Sequence, residues 1–341
     1  MVYCKGILGF YAHLVKNLKI TLKVGILFMG KFSKMFKKVG GWNVLKQYSK
    51  AHVLGYALTA TAVNGLSKKS LEIVRLGVTN KIICKLRKKY RKFIADFTEN
   101  YQQEEQTRSN KVWVCWFQGM DAAPELVQRC YRSLQENLKD REIIVLTDDN
   151  YRDYVQFPDH VQKKIDNGTI TRTHMSDLLR LELLLRHGGT WIDSTVFCSG
   201  SNVPDYMLNS DLFLFRTLKP GADGQASIMS SWFMTACTNH PILHLTRALL
   251  YKYWEKHNGL VDYFLLHDFF EIATEYYPEA WNKVIPFSSA TPHILLLRLF
   301  EEYDETIWNA TRSMTPFHKL SYKFDKEQFE LPNTYYQVLL K

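Results

Sequence analysis

Acidic residues are nearly missing from the start of this 341-residue chain: residues 1–95 hold 17 lysines and 3 arginines against one acid, Glu72. The rest carries the other 24 bases and 33 acids, so the net charge of +10 divides into +19 and −9. A partner that wants positive charge is therefore met by the N-terminal segment alone. Cysteine is sparse. The six residues Cys4, Cys84, Cys115, Cys130, Cys198 and Cys237 show no CxxC or other metal-ligand spacing, which sets a zinc site aside and suits free thiols in a reducing compartment. Long apolar runs are missing near the N-terminus, because Lys16, Lys19 and Lys23 interrupt every window of about 20 residues that could span a bilayer. With its apolar run broken and no small-residue cleavage site evident, the segment is not expected to be a cleaved signal peptide. What the chain does have is apolar mass: 46% hydrophobic and 14% aromatic residues, enough for a substantial core and too many for a disordered protein.

The basic segment is patterned. On a helix turning about 100° per residue, Lys5, Lys16, Lys19, Lys23, Lys31, Lys34, Lys37 and Lys38 share one face, and Ile7, Tyr11, Leu14, Leu18, Leu22, Met29, Phe32 and Phe36 share the opposite one. Such a helix suits the surface of an anionic membrane; it also suits packing on protein with its lysines solvated. A second basic run, Lys81 to Lys92, is expected to continue that surface. Nucleic acid is not expected as a partner, since the segment shows no nucleic-acid motif and lysine far exceeds arginine. Residues 96–110 are polar, without an aliphatic stripe, and read as a linker. The expected organisation is a basic amphipathic helical segment at 1–95, a linker at 96–110 and a catalytic domain at 111–341.

That domain opens with a buried strand, Lys111 to Gln118, broken by Gly119. A helix follows with Pro124 in its first turn and an apolar stripe of Leu126, Val127, Cys130, Leu134 and Leu138, then a second strand, Arg141 to Thr147. Strand, helix and strand in this order predict a βαβ unit and a parallel sheet. Ligands of open α/β sheets bind beyond the carboxyl ends of the strands, which here carry Trp116, Gln118 and Gly119, and Thr147 and Asp148. Two further strands are expected at Asp211 to Arg216 and Ile228 to Thr235, and a scaffold helix from His240 to Trp254.

The densest motif lies between them. A leucine-rich helix from about His174 to His187 ends at Gly188-Gly189, and its Asp177 and Arg180, three apart, share one face. Then comes a strand fit for burial, Thr190 to Phe197, with Asp193 in its middle. A carboxylate there needs compensation, which a divalent cation carrying phosphates would supply; it can equally be a solvated or capping aspartate at a strand end. His267, within an apolar helix, reads as a hydrogen-bonded core residue or as a sugar contact.

Asp177, Arg180, Gly188-Gly189 and Asp193, with Phe317-His318-Lys319-Leu320 near the C-terminus, resemble the capsular polysaccharide synthesis protein family and the related DXD-containing sugar transferases of the mannosyltransferase and clostridial toxin type. The resemblance implies a GT-A-like, Rossmann-type mixed sheet flanked by helices, here with an N-terminal basic helical extension. It implies a retaining glycosyltransferase that takes a nucleotide-sugar donor and builds a capsular or other glycan, on a glycan or lipid-linked acceptor. Together with the lysine face of residues 1–95, the expected location is cytoplasmic, peripheral on the inner face of the bacterial cell membrane. Asp177, Arg180 and Asp193 are implied as catalytic. Asp193, Thr195 and His318 are implied as ligands of Mn2+ or Mg2+, with Lys319 on the diphosphate. Trp116 and Gln118 are implied near the nucleotide base, and Trp232 near the sugars. Thr195 departs from the pattern: it stands where the second aspartate of DXD would be and brings no charge. A non-catalytic component of a polysaccharide-synthesising assembly, or a metal-dependent phosphoester hydrolase, would use the same features differently.

Overall fold

The computed structural model describes residues 41–218 and 228–341; the expected lysine-faced helix at 5–38 lies outside the described residues. Two compact units divide between Val78 and Thr79. In the first, helices Gly41–Lys50 and Leu54–Asn64 precede the start of helix Lys68–Asn100. Ala51, Val53, Ala57 and Val74 are buried there, while Trp42, Leu58, Val63 and Ile73 are exposed. Among the described residues no helix is long and apolar enough to cross a membrane.

The second unit is a mixed α/β body around a five-stranded sheet. Its strands are β1 (Lys111–Cys115), β2 (Glu142–Leu146), β3 (Gly189–Ile192), β5 (Leu212–Arg216) and β6 (Met229–Ala236), in the order β2-β1-β3-β6-β5. β1 runs parallel to β2 and to β3, and β6 runs antiparallel to β3 and β5. The expected βαβ unit is present, with helix Glu125–Asn137 crossing between β1 and β2 and burying Leu126, Val127, Cys130 and Leu134. A second, two-stranded sheet pairs β4 (Val196–Cys198) with β7 (Phe317–Lys319). Val112, Val114, Ile192, Phe213, Phe215 and Phe233 form the core on the main sheet.

Three boundaries differ from the sequence reading, each for a physical reason. Helix Lys68–Asn100 runs into the expected linker, and from Thr79 onward it belongs to the second unit. Its apolar residues Ile82, Ile83, Leu86, Tyr90 and Ile94 recur at helical spacing between the lysines and are all buried. Tyr90 meets the Phe269 ring edge-on at 5.4 Å, and Arg87 pairs with Glu275. The apolar residues of the second basic run are thus scaffold, while Lys81, Lys85, Lys88, Lys89, Arg91 and Lys92 are exposed. Residues 101–110 have no regular structure but are tied to the body, with Thr107 N–H donating to Thr238 Oγ1 at 2.9 Å and Arg108 pairing with Asp211 at 2.9 Å. Finally, the strand expected over Thr190 to Phe197 breaks at Asp193, where the chain turns (Val196 N–H to Asp193 C=O, 3.0 Å) and leaves the main sheet for β7.

Gly189 makes the approach to β3 possible. Its φ is +94°, and a Cβ there would sit 2.3 Å from the Lys111 carbonyl oxygen of the neighbouring β1. The glycine pair therefore ends the Arg172–His187 helix and starts a central strand with no room for side chains. Trp113 seals the turn by donating from Nε1 to the Gly188 carbonyl at 2.9 Å.

Candidate active site

The Arg172–His187 helix and the carboxyl ends of β1, β2 and β3 converge on one charged cluster. Arg180 is its hub, with only 5% of its surface exposed. Its guanidinium lies 3.3 Å from Asp177 and 3.7 Å from Asp193, donates from Nη1 to the Ser231 carbonyl at 2.5 Å, and stacks over the Trp191 ring at 4.9 Å. With Nε on the Ser176 carbonyl at 3.2 Å as well, this buried arginine is locked in place by two carboxylates, two carbonyls and an aromatic face, and it fixes the two carboxylates that surround it.

Each carboxylate is also held from the far side. Asp177 Oδ2 lies 3.3 Å from His174 Nδ1, and the Nε2 of that ring accepts from Trp254 Nε1 at 3.0 Å. Since Trp254 can only donate, the proton of a neutral His174 sits on Nδ1, facing Asp177. Burial alone would push the Asp177 carboxyl up, but Arg180 and the His174 hydrogen bond hold it below its ordinary value. Asp193 ends β3, its N–H fixed to the Trp232 carbonyl at 2.8 Å. Its Oδ1 accepts from Trp191 Nε1 at 2.9 Å, and its Oδ2 accepts from Lys319 Nζ at 2.9 Å. Burial opposes its charge as well, and Lys319 and Arg180 overcome it, so that Asp193 too stays ionised.

Lys319 donates in addition to Thr195 Oγ1 at 2.6 Å. The structure thus brings Asp177, Arg180, Asp193, Thr195 and Lys319 together. His267 looks onto the same cluster: burial lowers it to about 4, and Asp177, Arg180 and Asp193 all act on its charge. It is neutral at pH 7.

His318 does not join them. Successive strand residues face opposite ways, so with Lys319 turned to Asp193, His318 turns the other way, where it is fully buried, meets Ser199 Oγ at 3.0 Å and packs on Trp308 at 5.4 Å. Burial pushes it down to about 3. Trp232 is also a core residue, stacked on Phe215 at 4.5 Å; it serves the site through its backbone carbonyl. Trp116 is half-buried with its ring edge-on to Tyr322 at 5.7 Å, and Gln118 is exposed beyond the end of β1.

The expected divalent ion can be tested against this donor set. Mg2+ and Ca2+-type ions take six or more oxygen ligands and favour carboxylates. Here an ammonium already bridges the Asp193 carboxylate and the Thr195 hydroxyl, and a guanidinium lies 3.7 Å from the other carboxylate oxygen. Among the described residues no three His, Cys, Asp or Glu side chains converge on a metal position. As arranged, the residues do not fit a resident ion.

The model of the capsular polysaccharide synthesis protein family matches residues 65–339. The chain belongs to that family. The matched stretch takes in the whole cluster, from Arg172 to Lys319, and begins ahead of the second structural unit. A solved structure, PaToxG glycosyltransferase, is similar at 13% identity, covering 78% of this chain and 96% of its own, with a TM-score of 0.35. No curated protein matches.

Several residues of this family member's site escaped the sequence reading. Arg172 pairs with Asp148 at 2.6 Å, joining the end of β2 to the start of the site helix. Cys115, at the end of β1, lies in the field of Arg180 and Asp193, and burial raises its thiol to about 12, so it is inert. Tyr263, 60% exposed, feels both Asp177 and Asp193. His174 carried a usable signal, lying three residues before Asp177 on the same helical face.

Proposed function

We propose that the chain is a glycosyltransferase that moves a sugar from a nucleotide-sugar donor to a growing glycan or lipid-linked glycan in capsular or exopolysaccharide synthesis. One observation carries the reading: Arg180 is locked between Asp177 and Asp193 where the parallel strands β1 and β3 end. That is where open α/β sheets bind nucleotides, and the cluster offers both hydroxyl acceptors and anion donors. Membership of the capsular family supports it.

In this reading Asp177, held by His174, accepts from hydroxyls of the donor sugar or ribose, and Arg180 fixes the sugar relative to the diphosphate. Trp116 and Gln118, at the end of β1, serve the base. His267 and the exposed ring of Tyr263 line the sugar side. A neutral imidazole there gives a hydrogen bond without a charge, and an aromatic face suits a pyranose. Transfer with retention needs no separate base, since the departing phosphate can take the acceptor proton. The lysine-rich residues ahead of the family match seat the enzyme on the inner face of the bacterial cell membrane. A panel of nucleotide sugars tests the reading through thermal stabilisation and sugar release. One donor should raise the melting temperature and be turned over; no stabilisation and no release across the panel would refute it.

A further inference from the structure

We infer that Lys319, rather than a divalent ion, neutralises the donor diphosphate, and that Asp193 and Thr195 serve to hold that lysine. The inference rests on the donor-site reading above and deepens it.

An ammonium has three N–H donors and no acceptor. Two are committed, to Asp193 Oδ2 at 2.9 Å and to Thr195 Oγ1 at 2.6 Å. The third remains for a ligand, and Lys319 has 19% of its side chain exposed. The lysine is anchored from behind by β7, whose Lys319 lies opposite Val196 in the β4–β7 ladder. Asp193 is in turn oriented by Trp191 Nε1 and by its own N–H on the Trp232 carbonyl. These contacts aim Nζ, and they put an ammonium on the very carboxylate oxygen and hydroxyl that an ion would need.

Charge gives an independent argument. Arg180 and Lys319 balance Asp177 and Asp193, so the cluster is neutral as it stands. A second carboxylate at position 195 would make it negative and would call for an added cation before a diphosphate could enter. Threonine removes that need: its hydroxyl accepts from the ammonium at no cost in charge. The departure at Thr195 and the placement of Lys319 thus explain one another.

In the transfer step the bond between the anomeric carbon and the diphosphate oxygen breaks, and its electron pair goes to that oxygen. Lys319 Nζ donates to the diphosphate as its charge grows. The acceptor oxygen bonds to the anomeric carbon, and its proton passes to the departing phosphate. Lys319 therefore stabilises charge that is larger in the transition state than in the donor.

The test is calorimetric titration of the full-length protein with UDP, GDP and dTDP, in EDTA and again with Mn2+. One diphosphate should bind with the same affinity in both, within about threefold. Lys319→Ala should weaken that binding in EDTA by on the order of ten- to a hundredfold, the worth of a charge-assisted hydrogen bond. Lys319→Arg should keep most of it, and the melting curve of each variant checks its fold. Thr195→Asp should make binding depend on Mn2+. Wild-type binding that appears only with Mn2+ would overturn the inference and leave the donor site standing. Binding in EDTA that is unchanged by Lys319→Ala would also overturn it. Failure of all three diphosphates in both conditions would overturn the inference and the donor site together.

Discussion

Removing Arg180 should be costly in a way that its exposed counterparts are not. In Arg180→Met the stem and its packing on Trp191 are kept, but Asp177, with 14% of its side chain exposed, loses its cation at 3.3 Å. The Ser231 carbonyl loses its donor as well. Breaking a buried ion pair costs about 3–5 kcal/mol. Asp177 keeps His174, and Asp193 keeps Lys319 at 2.9 Å, so the lower end applies, about 3 kcal/mol. Denaturant unfolding followed by tryptophan fluorescence at pH 7 measures it. Because Arg180 helps to hold Asp177 below its ordinary value, its contribution is present above the unfolded carboxyl pKa and fades as pH falls through the folded one. The gap between wild type and variant should therefore narrow toward pH 3. Removing both partners of a buried pair is cheaper than removing one, so Arg180→Met with Asp177→Asn should regain at least about 1 kcal/mol over the single variant. A loss below about 1 kcal/mol, or a double variant less stable than the single one, would refute the buried hub.

Gly189→Ala should destabilise by about 2 kcal/mol or more, because its Cβ meets the Lys111 carbonyl at 2.3 Å and φ is +94°; an unchanged unfolding midpoint would contradict the close β1–β3 approach. His240 and His318 are lowered by burial to about 4 and about 3, below the unfolded value, so stability should fall as pH drops from about 6.5. Each contributes a slope of about 1.4 kcal/mol per pH unit between its folded and unfolded values, and His318→Gln should flatten the profile by that amount in unfolding curves at pH 6 and 5. Replacing Lys16, Lys19 and Lys23 by alanine should reduce cosedimentation with anionic liposomes on the order of a hundredfold, at about 1 kcal/mol per lysine. Equal binding by that variant would remove the membrane role of the lysine face.

Local pattern carried much of this in advance. The leucine periodicity, the Gly-Gly stop and the three-residue spacing of Asp177 and Arg180 place both on one helical face, and the structure pairs them at 3.3 Å. The βαβ unit follows from the alternation of strand and helix residues, and its strands are parallel in register from Lys111 with Glu142 onward. What depended on distant partners was not readable. Asp193 and Lys319 meet across 126 residues, and the break after Ile192 reflects the pairing of β4 with β7, which no local run of residues announces. His318 illustrates a different failure. The resemblance offered it and Lys319 for one site, yet adjacent residues of a strand cannot share a face. Buried lysine-flanked residues such as Ile82 and Leu86 were hidden by the charge around them.

The most direct test of the donor site is turnover of the stabilising nucleotide sugar by wild type and by Asp193→Ala. Sugar release and nucleoside diphosphate production should be lost in the variant, because Lys319 loses its anchor, while circular dichroism shows the fold retained. Near-wild-type turnover by Asp193→Ala would contradict the site at the end of β3.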